Sequence, residues 1–438
     1  MRTVALYTLG CKVAQYETEA IAEGFEALAF RVVPFDGVAD VYVINTCTVT
    51  AESDRKSRQV IRRAIKKNPS AVVMVTGCYS QTSPEEVLKI DGVSYVGGTD
   101  RKMRIPKAAI SLLAVRETGG AIAPVCDSTP LTDTPFEPMT VKHAPRTRAY
   151  VKIEDGCECR CAYCAIPGAR GNVRSKRPED VLSEVKFLAE HGTREIVLTG
   201  IEIASYGADL DGFRLIDLLE MLDGAHLGVR FRLGSITPEI MKEAFVLRLA
   251  RLASIVPHFH ISMQSGSNAV LRGMRRRYTA EMALEALASL RRHIPDVRFT
   301  TDMMTGFPGE GETEFLETLA FTREANFLDM HIFAYSKRKN TPAATYPDQV
   351  EESVKKERSA ALIALAAHLR DQNLADIIQR GTPLSVLFET REGDLMVGHS
   401  AEFAEVHVVT EEALHGEIRR VLPTRAENGI LYGTLLSD

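Results

Sequence analysis

Three cysteines are grouped in the middle of the chain, where three residues separate Cys157 from Cys161 and two separate Cys161 from Cys164. Thiolates are soft ligands that select iron–sulfur clusters or zinc. A structural zinc site takes four ligands, whereas a 4Fe–4S cluster held by three cysteines keeps one iron open for another group. The stretch follows a predicted strand, and the pattern therefore favours an open-iron cluster over a zinc knuckle or chance spacing.

Three more cysteines, Cys11, Cys47 and Cys78, are far apart in sequence, but each comes just after a predicted strand. The carboxyl ends of parallel strands lie at one edge of a sheet, so these thiols are expected to converge there. A second cluster with three ligands is the favoured interpretation. The alternative is three buried apolar cysteines, because free cysteine is common in cores. Cys126 and Cys159 are interpreted as bystanders.

The composition of the 438 residues is that of a globular protein, with 45% hydrophobic residues, 25% charged residues and a net charge of -5. It excludes collagen-like, coiled-coil and wholly disordered chains, and the charge excludes a polycationic nucleic-acid coat. The sequence has no run of about 18 apolar residues and no recognisable secretory signal. A soluble cytoplasmic protein with no membrane partner is expected, in which structural disulfides are rare.

The first 125 residues alternate between strand and helix patterns. Short β-branched runs at residues 4–7, 41–44 and 71–75 predict strands, and residues 16–30 and 53–67 predict helices. Such alternation predicts a parallel sheet covered by helices, assigned to residues 1–125. Four prolines between residues 124 and 138 then predict a linker over residues 126–147.

The alternation resumes after the linker and then changes. Six β/α units predict a partial (β/α)6 barrel over residues 148–375, with strands at residues 149–153, 195–199, 230–233, 258–263, 298–304 and 330–335. A long helix is predicted from residue 351 to about 380. Period-two patterns and turns then predict a small antiparallel β-barrel, assigned to residues 376–438. The fold class is therefore α/β, with a parallel-sheet domain, a partial barrel and a small β-barrel.

The middle cysteines resemble those of a known superfamily. The pattern Cys157-x3-Cys161-x-Tyr163-Cys164 on the first loop of a β/α barrel is similar to the radical SAM superfamily. The resemblance implies that S-adenosylmethionine chelates the open iron and is cleaved to a 5′-deoxyadenosyl radical. It also implies that Tyr163 packs near the cofactor.

The chain as a whole resembles the methylthiotransferases of that superfamily. The similarity rests on motifs at residues 9–12, 45–50, 76–79, 156–171, 198–200, 260–267, 275–278 and 301–309, and on residues 396–403, which resemble the TRAM RNA-binding module. Residues 45–50 and 54–59 are similar to the branch that acts on threonylcarbamoyladenosine at position 37, beside the tRNA anticodon. The alternatives are isopentenyladenosine in tRNA or a ribosomal-protein aspartate as substrate, or a non-catalytic iron–sulfur protein that binds RNA.

The resemblance implies two 4Fe–4S clusters with different roles. The N-terminal cluster would hold or deliver sulfur, and the barrel cluster would cleave S-adenosylmethionine so that a methylthio group enters at carbon 2 of adenine. A reductant and a sulfur donor are implied as partners. No side chain beyond the cluster ligands is predicted to act in catalysis. Matching positions nominate cofactor contacts, with a local loop hydrogen bond as the alternative for each polar one: Thr199, Gly200, Glu202, Ser235 and Gln264.

An RNA substrate requires cations that contact phosphates. Basic residues near the predicted site are the candidates for RNA binding: Arg55, Lys56, Arg62, Arg63, Arg174, Arg177, Arg275 and Arg276. The alternative is an ordinary solvated face. The segment after residue 380 carries ten Asp or Glu against four Arg, so it binds RNA through one face only or serves mainly as a lid or spacer.

Overall fold

A computed structural model describes residues 1–131, 134–143 and 146–437 of the chain. Residues 132, 133, 144 and 145 of the predicted linker, and residue 438 of the last predicted segment, lie outside the described residues. Within the described ranges, no helix is long and apolar enough to cross a membrane.

A sheet of six parallel strands lies at the N-terminal end, in the order β2-β1-β3-β4-β5-β6. Its strands are β1 (Thr3–Thr8), β2 (Arg31–Val32), β3 (Val41–Thr46), β4 (Val72–Gly77), β5 (Val93–Gly97) and β6 (Val125–Asp127). Its helices are α1 (Lys12–Glu26), α2 (Ala51–Lys67), α3 (Cys78–Thr82), α4 (Pro84–Leu88) and α5 (Ile105–Glu117). The helix predicted at residues 16–30 is α1, which begins and ends four residues earlier because Cys11 caps its start and Ala29 turns the chain with φ +62°.

Helices cover both faces of this sheet, and the side chains of β3 alternate between the two layers. Tyr42 and Ile44 pack with the apolar face of α2, whereas Val41 and Val43 pack with α1 and α5. Burial on both faces explains why these strands are continuously apolar. The loops that carry the three N-terminal cysteines lie at the carboxyl edge of the sheet.

The central part of the chain is a partial barrel of parallel strands, accompanied by one short antiparallel pair of strands. Its strands are β7 (Arg148–Lys152), β8 (Glu154–Asp155), β9 (Arg174–Ser175), β10 (Glu195–Thr199), β11 (Arg230–Leu233), β12 (Ser235–Ile236), β13 (His258–Gln264), β14 (Arg298–Thr305) and β15 (Asp329–Ala334). Its helices are α6 (Ile166–Arg170), α7 (Pro178–Glu190), α8 (Leu215–Gly224), α9 (Glu243–Leu249), α10 (Asn268–Gly273), α11 (Ala280–His293), α12 (Glu312–Ala325) and α13 (Glu352–Arg380).

The barrel has six strand positions. β7, β10 and β11 form one parallel sheet, and β12, β13, β14 and β15 form another. Gly234 alone separates β11 from β12, so the two sheets continue into each other. β7 and β15 are the edges of this surface among the described residues, and the barrel is therefore open on one side. Helix α1 of the N-terminal sheet lies against β7, where Tyr16 donates a hydrogen bond to Glu184 of α7.

The last part of the chain is a closed β-barrel. Its strands are β16 (Leu384–Glu392), β17 (Leu395–Ser400), β18 (Glu405–Val409), β19 (Ile418–Glu427) and β20 (Ile430–Leu435), in the order β16-β17-β18-β20-β19. The sequence predicts an antiparallel barrel, but the pair that β18 makes with β20 is parallel because β20 folds back from β19 onto the far side of β18. The predicted fold class, with a parallel-sheet α/β part, a partial barrel and this small barrel, is confirmed.

Candidate active site

The thiols of Cys11, Cys47 and Cys78 lie at the carboxyl edge of the N-terminal sheet. Cys11 caps α1, Cys47 follows β3, and Cys78 is the first residue of α3. Gly10 lies against Cys47, since a Cβ at its position would be 3.3 Å from Cys47 Sγ. Burial, together with smaller effects of the Cys78 and Cys11 thiols, raises the pKa of Cys47 to about 11. The three thiols are therefore within electrostatic reach of one another.

Gly77 allows Cys78 to approach the end of β3. Its φ is +105°, and a Cβ there would lie 2.6 Å from both Asn45 Oδ1 and the amide nitrogen of Thr46. Side chains with L configuration rarely adopt this backbone conformation, and both neighbours are held in the sheet. Glycine is therefore required at the turn that brings the second and third of these thiols together.

The loop that carries Cys157, Cys161 and Cys164 follows β7 and β8 at the carboxyl ends of the barrel strands. The amide of Cys157 donates to Gly171 O at 3.0 Å, and the amide of Ala162 donates to Met274 O at 2.9 Å. Gly156 has φ +90°, and a Cβ there would overlap Asn172 O. The loop is thus fixed by backbone contacts at its start and at its middle.

Each group of three thiols contains one buried member that accepts a hydrogen bond from an arginine. Arg276 Nη1 lies 3.2 Å from Cys161 Sγ, and Arg170 Nε lies 3.3 Å from Cys78 Sγ. Burial raises the pKa of the Cys78 thiol, and Arg170 opposes that effect. Charge-assisted hydrogen bonds of this kind stabilise the thiolate, which is the form that binds metal.

A buried network of charges connects the two groups of thiols. Glu17 of α1 accepts hydrogen bonds from Lys102 at 2.5 Å, Lys152 at 2.8 Å and Arg170 at 2.5 Å. Asp155 accepts from Lys152 at 2.6 Å and from Arg170 at 3.2 Å. Burial opposes the ionisation of Glu17, but Arg170, Lys102 and Lys152 hold its pKa well below its usual range.

This network contains more cations than carboxylates. Arg174, whose Nη2 lies 3.4 Å from Asp155, is the fourth cation beside Lys102, Lys152 and Arg170, against the two carboxylates of Glu17 and Asp155. Buried charge is costly unless it is compensated. The excess of positive charge next to Cys78 fits an anionic occupant of the neighbouring thiol sites.

The donor sets fit iron–sulfur clusters, because soft thiolates select such clusters. In the part of the chain that the structure describes, no three His, Cys, Asp or Glu side chains are arranged around one metal ion. The three thiolates of an open-iron cluster bind three different irons, so their sulfurs stand farther apart than around one ion. Thiols in mutual electrostatic reach, with cations beside them, meet the requirement of a cluster that carries net negative charge.

Cys159 lies closer to the barrel cysteines than the sequence suggests. A side-chain hydrogen bond joins the thiols of Cys157 and Cys159, lowering the pKa of Cys159 to about 7 and raising that of Cys157. A residue interpreted as a bystander therefore contacts one of the predicted ligands.

The residues nominated for S-adenosylmethionine lie around the same barrel rim. Thr199 ends β10 and Gly200 follows it, Ser235 begins β12, and Gln264 ends β13. Gln264 is buried and has φ +70° where the register between β13 and β14 shifts. Strained non-glycine backbone of this kind is concentrated at functional sites. Tyr163 packs edge-on against Phe307, with ring centroids 6.5 Å apart.

Two carboxylates at this rim keep an unpaired oxygen. Glu154 Oε2 accepts a hydrogen bond from the amide of Glu202 at 2.8 Å, while Oε1 of each side chain is buried with no hydrogen-bond partner among the described residues. Burial raises the pKa of Glu202 to about 8 and that of Glu154 well above its usual range. Such acceptors fit a ligand that brings N–H or O–H donors, as S-adenosylmethionine does with its amino group and ribose. Sequence reasoning missed Glu154, although it lies three residues before Cys157.

A cavity of about 560 Å³ lies between the barrel lumen and the C-terminal β-barrel. Its lining is rich in cationic and imidazole side chains: Lys12, Arg146, Arg148, Arg232, His258, His260, His399 and His415. Lys12 follows Cys11 directly and lies within electrostatic reach of Cys11 and Asp302, both of which oppose the effect of burial on its pKa. The cavity therefore extends from the lumen towards the N-terminal thiols.

Acidic and aromatic groups of the C-terminal barrel dock on arginines at the amino end of the central barrel. Arg148 pairs with Glu389, and Arg232 donates to the carbonyls of Ser400 and Ala401 at 3.2 Å. The ring of Phe403 lies under the Arg232 guanidinium at 4.9 Å. The excess of acidic residues in this small barrel disfavours RNA binding, and one of these residues, Glu389, serves to dock it on the central barrel.

The candidate RNA-binding cations fall into two groups. Six are exposed: Arg55, Lys56, Arg62 and Arg63 on α2, Arg177 before α7, and Arg275 after α10. Arg174 and Arg276 are different, because Arg174 donates to Thr134 and to Arg170 O, and Arg276 donates to Cys161, Tyr278 and Ser262 O. These two guanidiniums are turned inward, and the structure gives them contacts within the site rather than a surface position open to phosphate.

Two family models match the chain. The radical SAM superfamily matches residues 151–322, and the uncharacterized protein family UPF0004 matches residues 3–98. The first match contains the barrel cysteines and the second contains Cys11, Cys47 and Cys78.

Curated relatives match nearly the whole chain. The threonylcarbamoyladenosine tRNA methylthiotransferase MtaB of Bacillus subtilis is 41% identical over 96% of this chain and 93% of the relative. The protein of the same name from Aquifex aeolicus is 38% identical over 84% and 89%. The tRNA-2-methylthio-N(6)-dimethylallyladenosine synthase of Thermoanaerobacter sp. is 32% identical over 98% and 92%.

Solved structures agree with the fold. The radical S-adenosylmethionine methyltransferase TsrM from Kitasatospora setae, with cobalamin and a [4Fe-4S] cluster bound, matches with a TM-score of 0.58 and 15% identity, covering 78% of this chain and 77% of that one. At this identity the likeness concerns the fold alone.

Proposed function

The chain belongs to the methylthiotransferase family of the radical SAM superfamily, and on that premise we propose that it converts threonylcarbamoyladenosine at position 37 of tRNA, next to the anticodon, into its 2-methylthio derivative. It is an enzyme that transfers a methylthio group, and its family uses two 4Fe–4S clusters and S-adenosylmethionine. The substrate and the ligand assignments below are the proposed part.

We assign Cys157, Cys161 and Cys164 to the cluster that binds S-adenosylmethionine, and Cys11, Cys47 and Cys78 to the second cluster. When bound, these groups supply the one-electron chemistry that activates the adenine C2–H bond and the sulfur that replaces its hydrogen. That bond is too strong and too weakly acidic for the side-chain bases of a protein. The chain itself contributes position, hydrogen bonds to sulfur and exclusion of water.

The observation that carries this proposal is a buried contact between the segment that follows the barrel cysteines and the N-terminal group of thiols. Arg170, six residues after Cys164, donates a hydrogen bond to Cys78. Its side chain is 1% exposed, so the two sites are joined through the protein interior. One substrate can then be served by both groups, as insertion of a methylthio group requires. An electron carrier, by contrast, normally completes each cluster with a fourth cysteine.

The cavity in the barrel lumen supports the threonylcarbamoyl group as the recognised modification. That group carries a carboxylate and a hydroxyl, whereas a dimethylallyl group is wholly apolar. Lys12 lines the cavity beside Arg148, which also pairs with Glu389, and Arg232, which also pairs with Glu195. A cationic lining binds a carboxylate and gains nothing from an alkene. The identity to the Bacillus subtilis relative named for threonylcarbamoyladenosine, 41%, also exceeds the 32% identity to the dimethylallyladenosine synthase of Thermoanaerobacter sp., which supports the same substrate.

The flanking RNA is proposed to contact the exposed cations of α2. Arg55, Lys56 and Arg62 are exposed on this helix, which begins four residues after Cys47. Contacts to phosphate fix the register of an RNA but carry no base identity. A base in an anticodon loop is unpaired, so it can turn into a deep pocket while its neighbours stay on this surface. A reductant and a sulfur donor complete the set of proposed partners.

The test is methylthiolation in vitro with anaerobically reconstituted protein. Anticodon stem-loops that carry threonylcarbamoyladenosine or dimethylallyladenosine are incubated with S-adenosylmethionine, a reductant and sulfide, and the nucleosides are measured by mass spectrometry. We expect a 2-methylthio product from the first RNA and little from the second. Product from the dimethylallyl RNA alone would overturn the substrate, and 5′-deoxyadenosine without any modified nucleoside from either RNA would favour a different acceptor such as a protein aspartate.

A further inference from the structure

Arg170 occupies an unusual position between the two groups of thiols. Its Nε donates to Cys78 Sγ at 3.3 Å, its Nη1 and Nη2 donate to Glu17 at 2.5 and 3.2 Å, and Nη1 also donates to Asp155 at 3.2 Å. The whole guanidinium is buried. All three guanidinium nitrogens therefore have hydrogen-bond partners, and one of these partners, Cys78, is a predicted cluster ligand.

The residues around Arg170 belong to segments that carry the other thiols. Glu17 lies on α1, which begins directly after Cys11. Asp155 lies two residues before Cys157, and Arg170 itself ends the short helix that follows Cys164. Asn45, two residues before Cys47, accepts a hydrogen bond from Lys102 of the same network at 3.1 Å. The network therefore includes residues that lie two positions from a cysteine of each group, Asn45 before Cys47 and Asp155 before Cys157.

We propose that Arg170 is a positioning residue for the second cluster: its hydrogen bond to the Cys78 sulfur sets the reduction potential of that cluster, and its ion pairs fix the cluster against the barrel loop. The inference rests on the proposed ligation of a cluster by Cys11, Cys47 and Cys78. A hydrogen bond to a ligand sulfur, with a cation behind it, favours the more reduced and more negative state of a cluster. Loss of that bond makes reduction harder.

A purely structural role is the competing explanation, because a buried arginine between two carboxylates is expected to stabilise the fold in any case. The two explanations differ in one measurable respect. An arginine that only holds the fold affects stability and cluster content, but it does not move the potential of a cluster that is fully assembled. The potential is therefore the decisive quantity.

The experiment isolates the second cluster in a protein that carries Cys157→Ala, Cys161→Ala and Cys164→Ala. Into this background we introduce Arg170→Lys or Arg170→Gln, reconstitute anaerobically, and titrate the reduced cluster by electron paramagnetic resonance. A lysine keeps one charge beside Glu17 and Asp155, but its single nitrogen cannot also reach Cys78. We expect both variants to shift the midpoint potential to more negative values, with the larger shift for glutamine.

The matched control is Arg358→Lys, since Arg358 is also buried and paired, with Glu310 as its partner at 2.8 Å. This variant should weaken a comparable buried ion pair without moving the potential. An unchanged potential in a fully loaded Arg170→Lys protein overturns the proposal. If Arg170→Gln does not fold, the lysine variant alone decides.

A second readout uses the protein with all six cysteines. The ratio of 5′-deoxyadenosine formed to methylthio product should rise several-fold in Arg170→Lys, because cleavage at the barrel loop continues while transfer from the second cluster fails. An unchanged ratio contradicts the role in fixing the cluster. The parent protein distinguishes failure of the underlying function: if it lacks iron at Cys11, Cys47 and Cys78 after reconstitution, the ligand assignment itself is wrong.

Discussion

Arg276 and Cys161 form a direct contact, with Nη1 of the arginine 3.2 Å from the sulfur. The same guanidinium is anchored from behind, since Nε donates to the Tyr278 hydroxyl at 2.7 Å and Nη2 donates to Ser262 O at 2.6 Å. Arg276→Gln removes the charge and both anchors. Second-shell partners of this kind change metal affinity or activity by about 10- to 100-fold when they are mutated. We expect a loss of that order in S-adenosylmethionine cleavage without RNA, measured as 5′-deoxyadenosine.

Arg272→Gln serves as the control for Arg276, because Arg272 lies in the same segment and is exposed. Cleavage should be unchanged in this variant. Equal losses in both variants would show that general disturbance of the segment, rather than the bond to Cys161, is responsible.

Variants in the two groups of cysteines should show that cleavage of S-adenosylmethionine and transfer of the methylthio group depend on different clusters. Cys157→Ala should abolish formation of 5′-deoxyadenosine, because an open-iron cluster needs all three thiolates of its loop. Cys47→Ala should leave cleavage intact but stop methylthiolation of the RNA. Each variant should retain about half of the iron of the parent protein. Loss of cleavage in both variants would contradict the assignment of separate roles.

Gly77→Ala should prevent assembly of the second cluster. A Cβ at this position would lie 2.6 Å from the amide nitrogen of Thr46 in addition to facing an unfavourable φ of +105°. Gly192→Ala is the matched control, because Gly192 has φ +92° but no described atom within 4 Å of the added carbon. The control should cost about 1–2 kcal/mol of unfolding free energy from backbone strain alone. We expect Gly77→Ala to cost more and to lose about half of its iron; equal effects on stability and iron would exclude the close approach to β3 as the cause.

Much of the framework follows from local sequence signals. β-Branched and apolar runs locate β1, β3 and β4 of the N-terminal sheet and the six main strands of the barrel, and the position of Cys11, Cys47 and Cys78 after three such runs predicts their common edge. Both inferences use chain periodicity and parallel topology, which are properties of neighbouring residues. Helix ends are less well determined, as α1 shows, since caps depend on contacts made elsewhere.

The buried charges could not be predicted in the same way. Glu17, Lys102 and Arg170 are far apart in sequence, and charged residues are mostly exposed, so each by itself is interpreted as a solvated side chain. Arg174 and Arg276 show the consequence, because each is a basic residue next to a predicted site and suggests phosphate binding from the sequence, whereas the folded chain gives it a buried carboxylate or thiol as a partner. Only the folded chain brings these partners together.

The stability of the central barrel depends on pH through the ionisation of Glu195. Burial raises the pKa of this carboxyl group, but Arg232, Arg230 and Arg148 hold it at about 2, against 4.5 in the unfolded chain. A lowered pKa in the folded state stabilises the protein fully above the unfolded value and is lost as the pH falls from about 4.5 towards about 2. The difference corresponds to about 3 kcal/mol at neutral pH.

Glu195→Gln should therefore lower the unfolding free energy at pH 7 by about 3 kcal/mol, measured by urea denaturation of the cluster-free protein. The difference in unfolding free energy between variant and parent should decrease below pH 4.5, where the parent begins to lose the same interaction. Glu220→Gln provides the control, since its partner Arg248 is partly exposed and such pairs contribute less than about 1 kcal/mol. If the difference in unfolding free energy stayed constant down to pH 3, the proposed link between the lowered pKa of Glu195 and stability would be wrong.

Lys12 should contribute to recognition of the threonylcarbamoyl carboxylate. It lines the lumen cavity beside Arg148 and Arg232, and it is the cavity residue adjacent to a cysteine of the N-terminal group. Lys12→Gln should raise KM for an anticodon stem-loop that carries threonylcarbamoyladenosine by about 10- to 100-fold, which corresponds to a charge-assisted hydrogen bond of 1.5–3 kcal/mol. Cleavage of S-adenosylmethionine without RNA should remain, and Lys107→Gln, on the exposed face of α5, should change neither quantity.

An RNA in which the threonyl carboxylate is a methyl ester separates this contact from general damage. The parent protein should bind the ester less tightly than the free acid, because the ester has lost its charge. In Lys12→Gln the two RNAs should bind alike, since the partner of the carboxylate is gone. If the variant still prefers the free acid by the same factor as the parent, the preference comes from Arg148 or Arg232, and Lys12 has no part in reading the substrate.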